Sequence, residues 1–237
     1  MMGEPEPGWW RIARWSLRAH GACLGLSMLM VVLLVGAIPS PDRADPHSML
    51  AYHEATLPWA PLGQALLAVG FLALTPAGLA LRALHGRRRV FWDLLALLLV
   101  LAAVLEATAL ILQVAARVSL WELGRDAPSE TIEQLVLIDD VAGIAGLLFA
   151  FVTFPMVAAA LAMIARWMLT RRDLPRSLGW LGGVIALAYV VGQVGIATGQ
   201  VGATTLARAL AMGLLTPIWT FWFAHHLHPG RWASDAR

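Results

Sequence analysis

Apolar residues in this chain gather into six long runs, at about 19–38, 59–82, 91–115, 136–165, 178–198 and 206–226. Each run meets the roughly 20 residues an α-helix needs to cross a hydrocarbon core of about 30 Å. Backbone groups in lipid must be satisfied within their own segment, so runs of this length predict helices. The expected fold is therefore all-α, a polytopic bundle of six transmembrane helices. Residues 1–18 form an amphipathic N-terminal segment, 19–226 the transmembrane domain and 227–237 a tail. Composition agrees: 59% of the 237 residues are hydrophobic and 14% charged, too little charge to coat a soluble protein of this size.

The polar positions between the runs set an orientation. Every basic residue is arginine. Arg11, Arg14, Arg18, Arg82, Arg87 to Arg89, Arg166, Arg171, Arg172, Arg176, Arg231 and Arg237 fall on the side of the N-terminus, and only Arg43, Arg117, Arg125 and Arg208 on the other. Basic residues near span ends stay preferentially in the cytoplasm, which predicts cytoplasmic termini and a location in an inner (plasma) membrane. The net charge of +2 is thus a topology signal, and no nucleic-acid partner is expected. The first run follows a basic stretch, WRIARWSLRAH, as a signal peptide would, but it exceeds the usual apolar core of roughly 7–15 residues and is read as a retained helix. Trp9, Trp10 and Trp15 among these arginines suit the headgroup layer. A single cysteine, Cys23, leaves no intrachain disulfide and reads as a packing residue.

Candidate chemistry comes from polar residues inside the runs. Positions seven or eleven apart share a helix face, so Glu106, Gln113 and Arg117 form one stripe of the third run. In the fourth, the face of Asp139 continues through Gly143, Gly146, Ala150 and Thr153, and Asp140 lies beside it. The fifth aligns Ala186, Gln193 and Gln200, with Gly179/Gly183 and Gly195/Gly199 at GxxxG spacing as packing surface and a route to homo- or hetero-oligomers. From the expected span ends, Glu106 and Gln193 lie roughly 8–14 Å below the outer boundary, and Gln64, Asp139 and Asp140 roughly 5–8 Å below it. Arg208 is higher still and is expected to pair with Asp139 or Asp140. These residues, Glu106, Asp139, Asp140, Gln64, Gln113, Gln193 and Arg208, predict an outward-facing polar pocket for a proton or small ligand, since ionisable groups facing a bundle interior are costly enough to imply function. The structural alternative is a protonated Glu106 donating a hydrogen bond to Gln193 and joining two helices.

Other signals narrow the field. Thr75-Pro76, Thr153-Phe154-Pro155 and Thr216-Pro217 interrupt the second, fourth and sixth runs; each proline removes a helical hydrogen bond, and a nearby threonine can satisfy freed backbone groups. His225, His226 and His228 close the sixth run and are the metal or haem candidates, but adjacent residues diverge by about 100° on a helix and no acidic or cysteine ligand has matching spacing. No metal or cofactor is expected. His47, His53 and Glu54 are read as solvated in a Pro-flanked loop. Phosphate-binding glycine loops, HExxH and GxSxG are absent from the sequence, which excludes a one-chain ATP-driven pump and leaves no motif for an enzyme.

VLEATALILQ in the third run, RRDLPRSLGWLGG entering the fifth and LLTPIWTFWFAHHL in the sixth together resemble an uncharacterised bacterial family of six-helix membrane proteins, known by a domain-of-unknown-function label, over roughly Trp59 to His226. The resemblance implies the six-helix fold and no chemistry. Three functions are carried forward: a small transporter-like or sensory protein binding a proton or small ligand, an assembly subunit of a membrane complex, and an intramembrane enzyme using Glu106 with Asp139 or Asp140 as acid and base.

Overall fold

The computed structural model describes residues 8–35, 37–42, 45–85, 89–198 and 209–227. Among them the structure is all-helical: α1 (Gly8–Met30), α2 (Pro46–Thr56), α3 (Trp59–Leu72), α4 (Leu74–Leu84), α5 (Arg89–Gly124), α6 (Ser129–Thr170), α7 (Arg176–Ala197) and α8 (Thr216–His226). Five stretches are long and apolar enough to cross a membrane: Gly8–Leu33, Trp59–Leu84, Val90–Gly124, Ser129–Thr170 and Arg176–Ala197. The sixth expected run is described only from residue 209, as a π-turn at Ala211–Leu215 followed by α8.

Helix ends follow local chemistry more than hydropathy. Asp45 adopts an extended conformation and accepts a hydrogen bond from the His47 amide, and Pro46 occupies the first turn, so the expected loop around His47 instead contains helix α2. Pro128 and Pro175 stand immediately before α6 and α7. At its far end α7 stops at Thr198, whose hydroxyl donates to the Val194 carbonyl at 3.0 Å. The 42 residues of α6 span about 63 Å, twice a hydrocarbon core, so its polar ends project well beyond any apolar slab. α1 likewise begins well before residue 19, because Trp10, Ala13 and Leu17 are buried along the same helix.

The three threonine–proline sites differ. At Pro76 the second run breaks at Ala73 into α3 and α4, yet the Thr75 hydroxyl is buried without a hydrogen-bond partner among the described residues. At Pro217 the Thr216 hydroxyl donates at 2.7 Å to the Ala211 carbonyl, which also accepts the Thr216 amide, rather than to the Gly213 carbonyl that the proline leaves free. At Pro155, inside α6, the Thr153 hydroxyl turns to a neighbouring helix.

Packing forms a ring in which α1 contacts α3 and α4, these contact α5, and α5, α6, α7 and α8 follow in sequence, with α8 returning to α1. Glycine permits the closest approaches: a β-carbon on Gly21 of α1 would overlap the Thr220 hydroxyl of α8, and one on Gly70 of α3 would come 3.0 Å from the Cys23 β-carbon. On α7, Gly179 packs against Leu169 and Gly182 against Trp219 and Ala165, while a β-carbon at Gly183 would meet nothing within 4 Å. The expected pair Gly179/Gly183 is thus replaced by Gly179/Gly182, because α7 touches α6 and α8 on two adjoining faces; Gly199 and Gln200 lie outside the described residues.

α2 lies across the ends of α5 and α6, with Leu50 against Gly124. At the opposite end, carrying Arg82 and Arg171, His85 stacks on Trp92 with centroids 3.9 Å apart, Trp167 meets both rings edge-on and Arg171 lies 5.7 Å over Trp167. Burial there lowers the His85 pKa from 6.5 to about 4, against a raising effect from its hydrogen bond to the Leu81 carbonyl. Arg82 and Asp93 form an ion pair at this end.

Candidate functional site

The stripes on α5 and α6 face each other. Antiparallel helices in contact repeat their register about every seven residues, and the two stripes meet in that rhythm. Nearest the arginine end, the buried Thr153 hydroxyl donates to Glu106 Oε2 at 2.6 Å; Glu106 is only 7% exposed. One repeat further along, the Gln113 side chain lies where a β-carbon at residue 146 would overlap its amide, so the glycine there lets the amide lie against α6. Gln64 of α3 joins this level by donating from Nε2 to Gln113 Oε1 at 3.0 Å. At the α2 end, Arg117 Nε lies 3.8 Å from Asp139 Oδ1 and His53 Nε2 3.4 Å from Asp139 Oδ2. The result is a polar seam along the α5–α6 contact, running from the partly exposed Arg117 near α2 to the buried Glu106.

Pro155 gives the inner end of the seam its form. It has no amide hydrogen for the Phe151 carbonyl, so α6 is locally weakened. Both flanking helices attach just ahead of it. Glu106 of α5 takes the Thr153 hydroxyl, and Gln193 of α7 donates from Nε2 to the Ala150 carbonyl. Phe154 packs edge-on against Tyr189 of α7 at 5.5 Å. Three helices are thereby clamped around one interrupted turn.

Several expectations change. Gln193 bonds to the α6 backbone at Ala150, and the bond to Glu106 comes from Thr153. Asp139 faces His53 and Arg117 and Asp140 is exposed, since only one of two adjacent residues can face α5. Arg208 lies outside the described residues, as does His228. His53 is buried, its helix having folded down onto α6. Glu106 and Asp139 do not share a layer: fourteen residues separate Thr153 from Asp139 on α6, about 21 Å by helical rise. The expected span ends were too short, and so compressed these levels. At that separation the two carboxyls are too far apart to act as acid and base on one bond.

Of the histidine candidates, His225 is exposed and His226 accepts a hydrogen bond from Trp222 Nε1 at 3.1 Å. Among the described residues no three His, Cys, Asp or Glu side chains converge as a metal site would require. Three further residues take part. Thr153, expected to satisfy backbone groups freed near Pro155, reaches Glu106 instead; His53, expected in solvent, is buried; and Tyr189, four residues before Gln193 on the same face of α7, packs against Phe154.

No family model, curated protein or solved structure matches this chain. Fold and composition give the class: among the described residues the chain is all-helical, with five helices long and apolar enough to cross a membrane, which points to a membrane protein.

Proposed function

We propose that this chain is a six-span inner-membrane protein with both termini in the cytoplasm, and that the α5–α6 seam makes it a proton-responsive sensory or transporter-like element. The carrying observation is a buried carboxyl, Glu106, at the blind end of a polar seam and bonded to the interrupted turn of α6. Arginine asymmetry puts the α2 end outside. A proton entering by Arg117, Asp139 and His53 meets Gln64 and Gln113 next and Glu106 last. Protonation of Glu106 removes the charge that strengthens the Thr153 bond, since hydrogen bonds to an ionised group are roughly twice as strong as neutral ones. That loosens α5 from the weakest turn of α6, a local change able to bias a helix shift. No carboxylate ladder of this kind continues toward the arginine end, where Ala102, Leu99 and Leu95 line α5, so the reading is of a switch more than a through-going proton path.

A second reading, an assembly subunit, draws on the interlocking of Gln113 with Gly146 and on the apolar outer face of α7, where Trp180, Val184 and Leu187 are exposed beside the open Gly183. Infrared difference spectroscopy in lipid separates the two. A proton-responsive Glu106 yields a carboxyl C=O band that changes between about pH 5 and 9 and disappears in Glu106→Gln. A band that is silent over that range sinks the proposal and leaves Glu106 as a fixed link between α5 and α6.

A further inference from the structure

We infer that the groove between α1 and α8 at the arginine end binds an anionic phospholipid, headgroup phosphate at its mouth and acyl chain along its floor. The groove has a volume of about 610 Å³ and is lined by Trp15, Arg18, Ala19, Ala22, Phe221 and His225. The four α1 residues fall at spacings of three and four, a single helix face. Phe221 and His225, four apart, form the facing wall on α8, which runs antiparallel to α1.

Polarity is graded along this groove. Trp15, Arg18 and His225 cluster at the arginine end, whereas Ala22 and Phe221 lie deeper, about 10 Å from Trp15 by the rise along α1. That is the profile of an amphiphile, charged at one end and apolar at the other. Small Ala19 and Ala22 leave the floor open, and the close approach of α1 to α8 at Gly21 and Thr220 brings the helices together beside it. The Arg18 guanidinium lies 5.6 Å from the Trp15 ring centroid, so the indole fixes the cation at the mouth. Trp15 itself is 67% exposed. Among the described residues Arg18 has no carboxylate partner, unlike Arg82 and Arg171, which are paired with Asp93 and Asp173. Arg11 and Arg14 on the same helix share that lack, but of these arginines it is Arg18 that lines the groove, so its charge sits where an external anion would enter. A lipid phosphate supplies the charge and its chain fills the apolar remainder; a free phosphate ion would satisfy only the mouth. The inference requires the chain to sit in a bilayer and owes nothing to the α5–α6 seam.

The test is native mass spectrometry of the detergent-purified full chain titrated with phosphatidylglycerol, phosphatidylcholine or inorganic phosphate. Wild type should retain one phosphatidylglycerol more tightly than phosphatidylcholine, and millimolar phosphate should not displace it. Arg18→Gln should weaken that adduct about fivefold, the factor equivalent to about 1 kcal/mol for one basic residue near the surface. Ala22→Phe, which fills the floor and keeps every charge, should weaken it too. Arg11→Gln, on the same helix but outside the groove, and Glu106→Gln should bind as wild type, so a failed seam and a failed groove give different patterns. Equal losses in Arg18→Gln and Arg11→Gln would mean diffuse surface charge, displacement by phosphate an anion site without a lipid, and unchanged binding in both Arg18→Gln and Ala22→Phe no site at all; each overturns the inference. Thermal melting of each variant in the same detergent confirms that it is folded.

Discussion

The two ends of the α5–α6 pair bury polar side chains by different means. At the arginine end, His85 is enclosed by Trp92 and Trp167 and hydrogen bonded to its own helix at Leu81, an arrangement that holds the imidazole neutral. Toward α2, polar groups meet one another across the helices, Glu106 with Thr153, Gln113 with Gln64, Asp139 with Arg117 and His53. Aromatic enclosure fixes one protonation state over the physiological range. A seam of paired polar groups leaves protons a sequence of places to go, and at its end α6 has the proline that weakens it. On the function proposed above, one end is insensitive to protons and the other responds to them.

The largest effect expected from breaking this contrast is at Gly146. Gly146→Leu drives a side chain into the Gln113 amide and should cost up to about 3 kcal/mol by overpacking, seen as a lower melting temperature in detergent. Gly143→Leu, with nothing within 4 Å of its β-carbon, should cost little. Gln113→Ala should partly rescue Gly146→Leu, since it clears the obstruction; failure to rescue would mean the two helices do not meet at that register.

Next in size is the acid response of the aromatic end. The folded His85 pKa of about 4 lies below the ordinary 6.5, so the unfolded chain binds more protons between those values. Stability conferred by neutral His85 is present above about pH 6.5 and is lost as pH falls toward 4, by up to about 3 kcal/mol. Equilibrium unfolding in detergent at several pH values checks this, and His85→Gln should flatten the slope within that window. An unchanged slope would show that His85 is not held neutral.

Smaller effects come from the seam. Glu106→Ala strands the buried Thr153 hydroxyl and should cost about 1–3 kcal/mol, whereas Glu106→Gln keeps an acceptor in place and should cost less than about 1 kcal/mol. Equal losses would place the importance of Glu106 in its charge rather than in the Thr153 bond. Smallest is the Arg117–Asp139 pair: at 3.8 Å, with Arg117 side chain 33% exposed, a double-mutant cycle should give a coupling below about 1 kcal/mol. A larger value would mean the α2 end is dry and closed.

How far the sequence carried this picture depended on the kind of signal. Helical fold and apolar extent followed from length and composition, and the faces of Glu106–Gln113–Arg117 and Asp139–Gly146–Thr153 followed from helical period. Their mutual register did not, because period describes one helix and says nothing of which residue opposes it. Depth also misled, since the polar ends of α5 and α6 stay helical beyond their apolar cores, which moved Asp139 away from Glu106. The threonines near proline were ambiguous for a similar reason: Thr216 caps its own helix and Thr153 bonds to α5, and only the neighbour's position decides between them. His53 is expected in solvent because the Pro-flanked stretch around it reads as a loop; its burial comes from α2 packing onto α6 beside Asp139, a tertiary fact.

The central claim is that Glu106 answers to protons from the α2 side alone. Proteoliposomes with a single protein orientation, verified by protease access, allow the pH on each side to be set independently while the Glu106 carboxyl band is followed by infrared difference spectroscopy against Glu106→Gln. The account predicts that acidifying the α2 side alters the band and that acidifying the arginine side leaves it unchanged. A band that follows the arginine side, or neither side, would contradict it.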